Sequence, residues 1–210
     1  MNDPQQPAYF YPNKLGRIIL LSMEEIIGRN GVNAVLNQAG LRSMINNYPS
    51  NDLELAVSFE AIGQMQVALE AIYGPRGGRG LSLRAGRACF KHGLREFGPL
   101  LGFTDLAFRL LPLDEKLRSG ALIFADIFNK YSHQQVVVEE EPRRYLWKIE
   151  RCPVCWKRIA DGPVCHLAVG LLQEALYWIS GGKFYNVEEI DCIAQGGIAC
   201  VIAIEKQSLD

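Results

Sequence analysis

The chain has 210 residues, 49% of them apolar, which is enough to bury a sizeable core in one domain, with or without an extension. Its 22 basic and 23 acidic side chains leave a formal charge of -1, so no broad attraction to nucleic acid or anionic lipid is expected. No apolar run approaches the roughly 20 residues that span a bilayer, and the opening MNDPQQPAYFYP lacks the basic-then-apolar form of a signal peptide. The expectations are a cytoplasmic location, no membrane span and no direct nucleic-acid partner.

Leu15, Ile18, Ile19, Met23, Ile26 and Ile27 recur at helical spacing until Gly28 and Gly31, which predicts one amphipathic helix. A shorter helix is expected from Val32 to Leu41, then a loop at NNYPSND. Phe59, Ile62, Met65, Leu69 and Ile72 mark one face of a longer helix that GPRGGRG is expected to end. From Leu81 to Phe97 and from Leu113 to Phe128 the apolar spacing is again nearer 3.6 than 2, with no proline inside either segment. Strands are expected only after His133, where QVVVEEE and RRYLWKIE are short β-branched or aromatic segments separated by Pro142. Pro163 can open a helix that runs to Ser180 and stops at Gly181-Gly182. Last, FYNVEEIDCIA and IACVIAIE flank a Gln-Gly-Gly turn and predict a C-terminal hairpin.

Five of the six cysteines lie between Cys152 and Cys200. In a reducing compartment they read better as metal ligands, reactive thiols or core residues than as disulfides. CPVC, from Cys152 to Cys155, can chelate one soft ion from a single turn. Cys165 sits near a helix start, where the backbone amides and helix dipole favour thiolate. With the hairpin turn centred on Gly196, Cys192 and Cys200 become cross-strand partners with Cβ atoms about 4.5 to 5.5 Å apart. Thiolates about 2.3 Å from zinc could close a tetrahedral site there. Three other readings stand beside this one: buried cysteines acting as small hydrophobes, a CPVC dithiol switch, and an iron–sulfur cluster, which spacing alone does not separate from zinc.

CPVC, GPVCHLAVGLLQEALYWISGG and VEEIDCIAQGGIAC together resemble the 4-vinyl reductase domain family, whose signature is a cysteine at a helix start, a helix ending in glycine, Glu-x-x-Cys, a turn and a final cysteine. Cys165, Glu189, Cys192 and Cys200 occupy those positions. The resemblance implies a zinc site of three cysteines and one glutamate, as in the aromatic-sensing domains of transcriptional activators, and a homodimer. It also implies a mixed α/β (α+β) fold in which an antiparallel sheet is covered by helices, with a helical N-terminal part and a C-terminal strand-helix-hairpin. Through GPRGGRGLSLRAGRACFKHG the likeness extends from about Leu55 to Glu205, so residues 1–50 are expected as an N-terminal helical extension and 51–210 as a ligand-binding domain with a cysteine-rich metal site. On strand geometry alone Glu188, not Glu189, shares a face with Cys192, so a bulge or turn must intervene if Glu189 is a ligand. Cys152 and Cys155 fall outside the four-ligand set and are further candidate ligands, either as a second thiol pair, in place of the glutamate, or as a brace for their loop.

Domains of this family enclose an apolar cavity, for which Trp147, Tyr145, Phe90, Phe97, Phe124 and Trp178 are candidate walls. Trp147 leads because its indole N–H can orient a polar ligand edge, and His92 and His166 are weaker candidates. GPRGGRG lacks the Gly-Lys-Ser/Thr ending of a phosphate loop, and no Ser-His-Asp or Cys-His arrangement supports catalysis. The expected function is metal-stabilised binding or sensing of a small apolar, aromatic or tetrapyrrole molecule. The alternatives are a vinyl reductase or substrate carrier of chlorophyll-type pigment synthesis, and a dimeric scaffolding module.

Overall fold

A computed structural model describes residues 8–101 and 106–210; residues 1–7, the start of the segment read for a signal peptide, lie outside the described residues. Helix α1 (Asn13–Gln38) is the predicted N-terminal helix joined to the predicted second one, with the break at Gly28. Helix α2 (Phe59–Leu101) bends in the same way at Gly74. There φ is 75° and ψ 163°, a region that is essentially glycine's alone. GPRGGRG was expected to end the helix, but Gly74 only kinks it. Pro75 then restarts it, because the first turn of a helix needs no proline N–H.

The expectation of no strand before His133 is also corrected. Strands β1 (Phe10–Pro12) and β2 (Leu55–Ser58) pair antiparallel, Tyr11 opposite Val57. Segments of three and four residues are too short to show a period of two, and it is pairing with a distant segment that holds them extended.

After α3 (Leu106–Arg109) and α4 (Leu113–Tyr131) come β3 (Val136–Glu140), β4 (Arg144–Ile149), α5 (His166–Ile179), β5 (Tyr185–Asp191) and β6 (Cys200–Ser208). Asp114 and Glu115 in the first turn of α4 and Lys130 in its last suit the helix dipole. The four C-terminal strands form one antiparallel sheet in the order β3-β4-β6-β5. The predicted mixed architecture is therefore present, with an antiparallel sheet covered by helices, a helical N-terminal part and a C-terminal strand-helix-hairpin.

Register decides what faces the helices. Tyr145, Trp147 and Ile149 on β4 stand opposite Ile204, Ile202 and Cys200 on β6. All six are buried. On β5, Val187 pairs with Ile204 and Glu189 with Ile202, so this apolar face also carries one carboxylate. Helices α4 and α5 pack on the sheet, and α2 packs across α5 and α1. The α2–α5 crossing is close at two glycines: a Cβ on Gly86 would run into the Leu167 carbonyl oxygen, and one on Gly170 into that of Leu83.

Candidate metal centre and adjoining cavity

Cys165 precedes the first residue of α5 and has no side-chain capping bond of its own. The cap comes from Glu189, whose Oε2 accepts a hydrogen bond from the Cys165 backbone N–H at 2.7 Å. A carboxylate at a helix N-terminus is electrostatically favourable. Regular alternation with Val187 puts Glu189 inside, 5% exposed, and leaves Glu188 outside. Pairing then slips between Glu189–Ile202 and Asp191–Val201, and past this bulge Cys192, three residues on, is buried as well. Ile193–Gln195 then form a 3-10 turn and Gly196 adopts φ 94° to close the hairpin.

The result is a cluster of five buried thiols. Sulfur–sulfur distances are 4.0 Å for Cys165–Cys192, 3.8 Å for Cys192–Cys200 and 3.6 Å for Cys165–Cys200. Ligands 2.3 Å from one tetrahedral ion lie about 3.8 Å apart, so this triangle has the dimensions of one face of such a site. Cys152 lies 3.4 Å from Cys165, and Cys155 lies 3.2 Å from Cys200. The ligand atoms fall into two groups, Cys165, Glu189, Cys192, Cys200 and Cys152, Cys155, Cys165, Cys200, each with all members within 4.8 Å of one another.

Burial and contact between the thiols divide the site, contact holding Cys152, Cys155 and Cys192 below the ordinary thiol range against the push of burial. Burial pushes the Glu189 carboxyl up to about 8, against the pull of the Cys165 amide. Among the described residues its Oε1 has no hydrogen-bond partner. Cys165 and Cys200 are pushed well above the ordinary thiol range, first by Cys152 and then by Cys155. Anionic sulfurs in contact repel unless a cation lies between them. His166, beside Cys165, is lowered to about 4 by burial and then by Arg79, so it is neutral at pH 7.

Beside the cluster lies a cavity of about 80 Å³. Trp147 is on its wall, as are the predicted Phe90, Phe97 and Phe124, whereas Tyr145, Trp178 and His92 are not. His92 instead meets Glu25 at 3.0 Å near the surface. The lining residues not singled out from the sequence include Cys89, Tyr11 and Gln134. The Tyr11 hydroxyl donates to Gln134 Oε1, a polar pair in an otherwise apolar lining. Hydrogen bonds between Phe10 and His133, in both directions, hold the Tyr11 and Gln134 segments side by side, so no local motif marks the pair. Pro153 and Val154, inside CPVC, and Leu167 and Ala168, just after Cys165, also line the cavity.

No protein-family model and no curated protein sequence matches the chain. Solved structures do resemble it. The Fe(II) unliganded H-NOX protein from K. algicida is 16% identical with a TM-score of 0.58, over 95% of this chain and 98% of that one. An H-NOX structure from a study of heme distortion in that family is 12% identical with a TM-score of 0.60, over 95% of this chain and 97% of that one. The phenol-responsive sensory domain of the transcription activator PoxR, solved with phenol, is 20% identical with a TM-score of 0.50, over 72% of this chain and 76% of that one. At such identities the likeness is one of fold.

Proposed function

We propose that this chain is a small-molecule sensory domain: a one-ring apolar or aromatic molecule occupies the cavity, and zinc held by Cys165, Glu189, Cys192 and Cys200 ties the hairpin to α5 beside it. The observation that carries this reading is the shared wall. Residues within CPVC and directly after Cys165 line the cavity, so a ligand that moves the wall moves the thiol cluster. Residues 51–210 supply most of the lining and the N-terminal extension the rest, through Tyr11, Leu15, Ile18 and Ile19.

Two fold neighbours suggest different ligands, phenol and heme. An apolar cavity of about 150 Å³ is enough for benzene, so the present 80 Å³ must open about twofold to take a single ring. The residues do not fit a heme. Its iron takes an axial imidazole, thiolate, thioether or phenolate, yet none of His92, His133 and His166 lines the cavity. Burial pushes the Cys89 thiol up to about 12, and the Tyr11 hydroxyl is both buried and bonded to Gln134. The same size argument weighs against a tetrapyrrole carrier or vinyl reductase.

Calorimetric titration with phenol and benzene tests the reading. Phenol should bind more tightly by roughly fivefold, the net value of about 1 kcal/mol for one hydrogen bond, and Gln134→Leu should remove the difference. Trp147→Phe should weaken both ligands. Absence of binding by any one-ring compound at millimolar concentration would sink the proposal, and unchanged affinity in Trp147→Phe would remove that residue from the site.

A further inference from the structure

We infer that the five thiols and Glu189 build a binuclear centre, in which two divalent thiophilic ions such as zinc share the Cys165 and Cys200 thiolates as bridges. Cys152 and Cys155 complete one tetrahedron; Glu189 and Cys192 complete the other. The inference deepens the metal reading above and rests on it.

The geometry is that of two tetrahedra with a common edge. Each four-ligand group is complete by itself, and the two have Cys165 and Cys200 in common. The shared edge, Cys165–Cys200, is 3.6 Å. With metal–sulfur bonds of about 2.3 Å, ions on either side of that edge would stand about 3 Å apart. The outer ligands sit where each tetrahedron needs them, Cys152 3.4 Å from Cys165 and Cys155 3.2 Å from Cys200 on one side, Cys192 4.0 Å and 3.8 Å from the same two sulfurs on the other.

Each terminal pair also comes from its own piece of backbone. CPVC is a single-turn chelate, and Glu189 and Cys192 flank the β5 bulge. The buried Glu189 Oε1 with no described partner is an atom that an ion would satisfy. One ion at the Glu189 group would leave two thiols buried in contact with its ligands. Two ions allow all five to ionise at a net charge of -2, the same as one ion at the Glu189 group with Cys152 and Cys155 protonated, so the second ion turns two buried thiols into ligands without adding buried charge. A two-iron, two-sulfide core is disfavoured by the same geometry, since its inorganic sulfides would occupy the bridging positions that Cys165 and Cys200 already fill.

The test is metal stoichiometry on the full chain. Native mass spectrometry and elemental analysis of zinc-loaded protein should give two zinc ions per chain and no acid-labile sulfide. In a cobalt(II) titration of the reduced, metal-depleted chain, the paramagnetic resonance signal should rise with the first equivalent and fall with the second, because thiolate bridges couple the two ions. Cys152→Ser combined with Cys155→Ser should bind one ion and keep its signal to saturation.

One zinc in the wild type, retained in the double variant, would overturn the second ion yet leave the Glu189 site standing. No metal in either would overturn both readings, as would iron with labile sulfide. Two zinc ions in the double variant would overturn the assignment of Cys152 and Cys155. If that variant does not fold, judged by near-ultraviolet circular dichroism, the wild-type stoichiometry and cobalt signal decide alone.

Discussion

Glu189 is a carboxyl group on an apolar sheet face, held there by one hydrogen bond from the start of α5. Removing that acceptor leaves a buried amide unpaired and uncaps the helix. Glu189→Ala should therefore lose roughly 1 to 2 kcal/mol even in metal-free protein, read from urea melts, while Glu188→Ala, at an exposed position, should change little. Cys89 allows a pH prediction. Burial pushes its thiol from an ordinary 9.0 up to about 12. Below pH 9 folded and unfolded chains both keep the proton, and between about 9 and 12 only the unfolded chain releases it, so stability falls as pH rises through that window. The fall should be smaller in Cys89→Ala, measured by denaturant melts at pH 8 and pH 10.5. An equal fall in both proteins would show that Cys89 does not contribute.

At the scale of elements, the α2–α5 crossing positions both the cluster and the cavity, since α5 begins next to Cys165 and offers Leu167, Ala168, Leu171 and Leu172 to the cavity. Gly86→Ala would press a methyl into the Leu167 carbonyl, which cannot rotate aside, so the helices must separate. The expected loss is about 1 to 3 kcal/mol. Gly80→Ala on the same helix meets nothing within 4 Å, and alanine's better helix propensity should stabilise it by roughly 0.5 to 1 kcal/mol. Thermal melts that rank the two variants in the opposite order would contradict the close crossing.

For the whole molecule, metal would act as a cross-link between segments distant in sequence. Structural zinc contributes about 10 kcal/mol in small peptides, and even a few kcal/mol here would move the melting temperature by about 10 °C. Chelation should lower it by that order, and hydrogen exchange should speed up in β5 and β6 before α1. A melting temperature indifferent to chelator and added zinc would count against any structural metal.

Helices announced themselves in sequence because their apolar faces repeat every three to four residues; β3 to β6 did so through β-branched runs between turn residues. The thiols were visible as a cluster because cysteines are rare and five fell within one third of the chain. Local signals cannot report pairing, and this limited the rest. Whether Gly74 stops or bends a helix, whether Glu188 or Glu189 turns inward, and whether CPVC stands with or apart from the other thiols depend on which segments meet. So the sequence alone determined most of the helices, the four C-terminal strands, their order and the clustering of the thiols, but not β1, β2 or the continuity of α2. Only tertiary structure decided the β5 bulge, the Tyr11–Gln134 pair and the shared Cys165–Cys200 edge, because each is a contact between residues whose neighbours in the chain carry no trace of it.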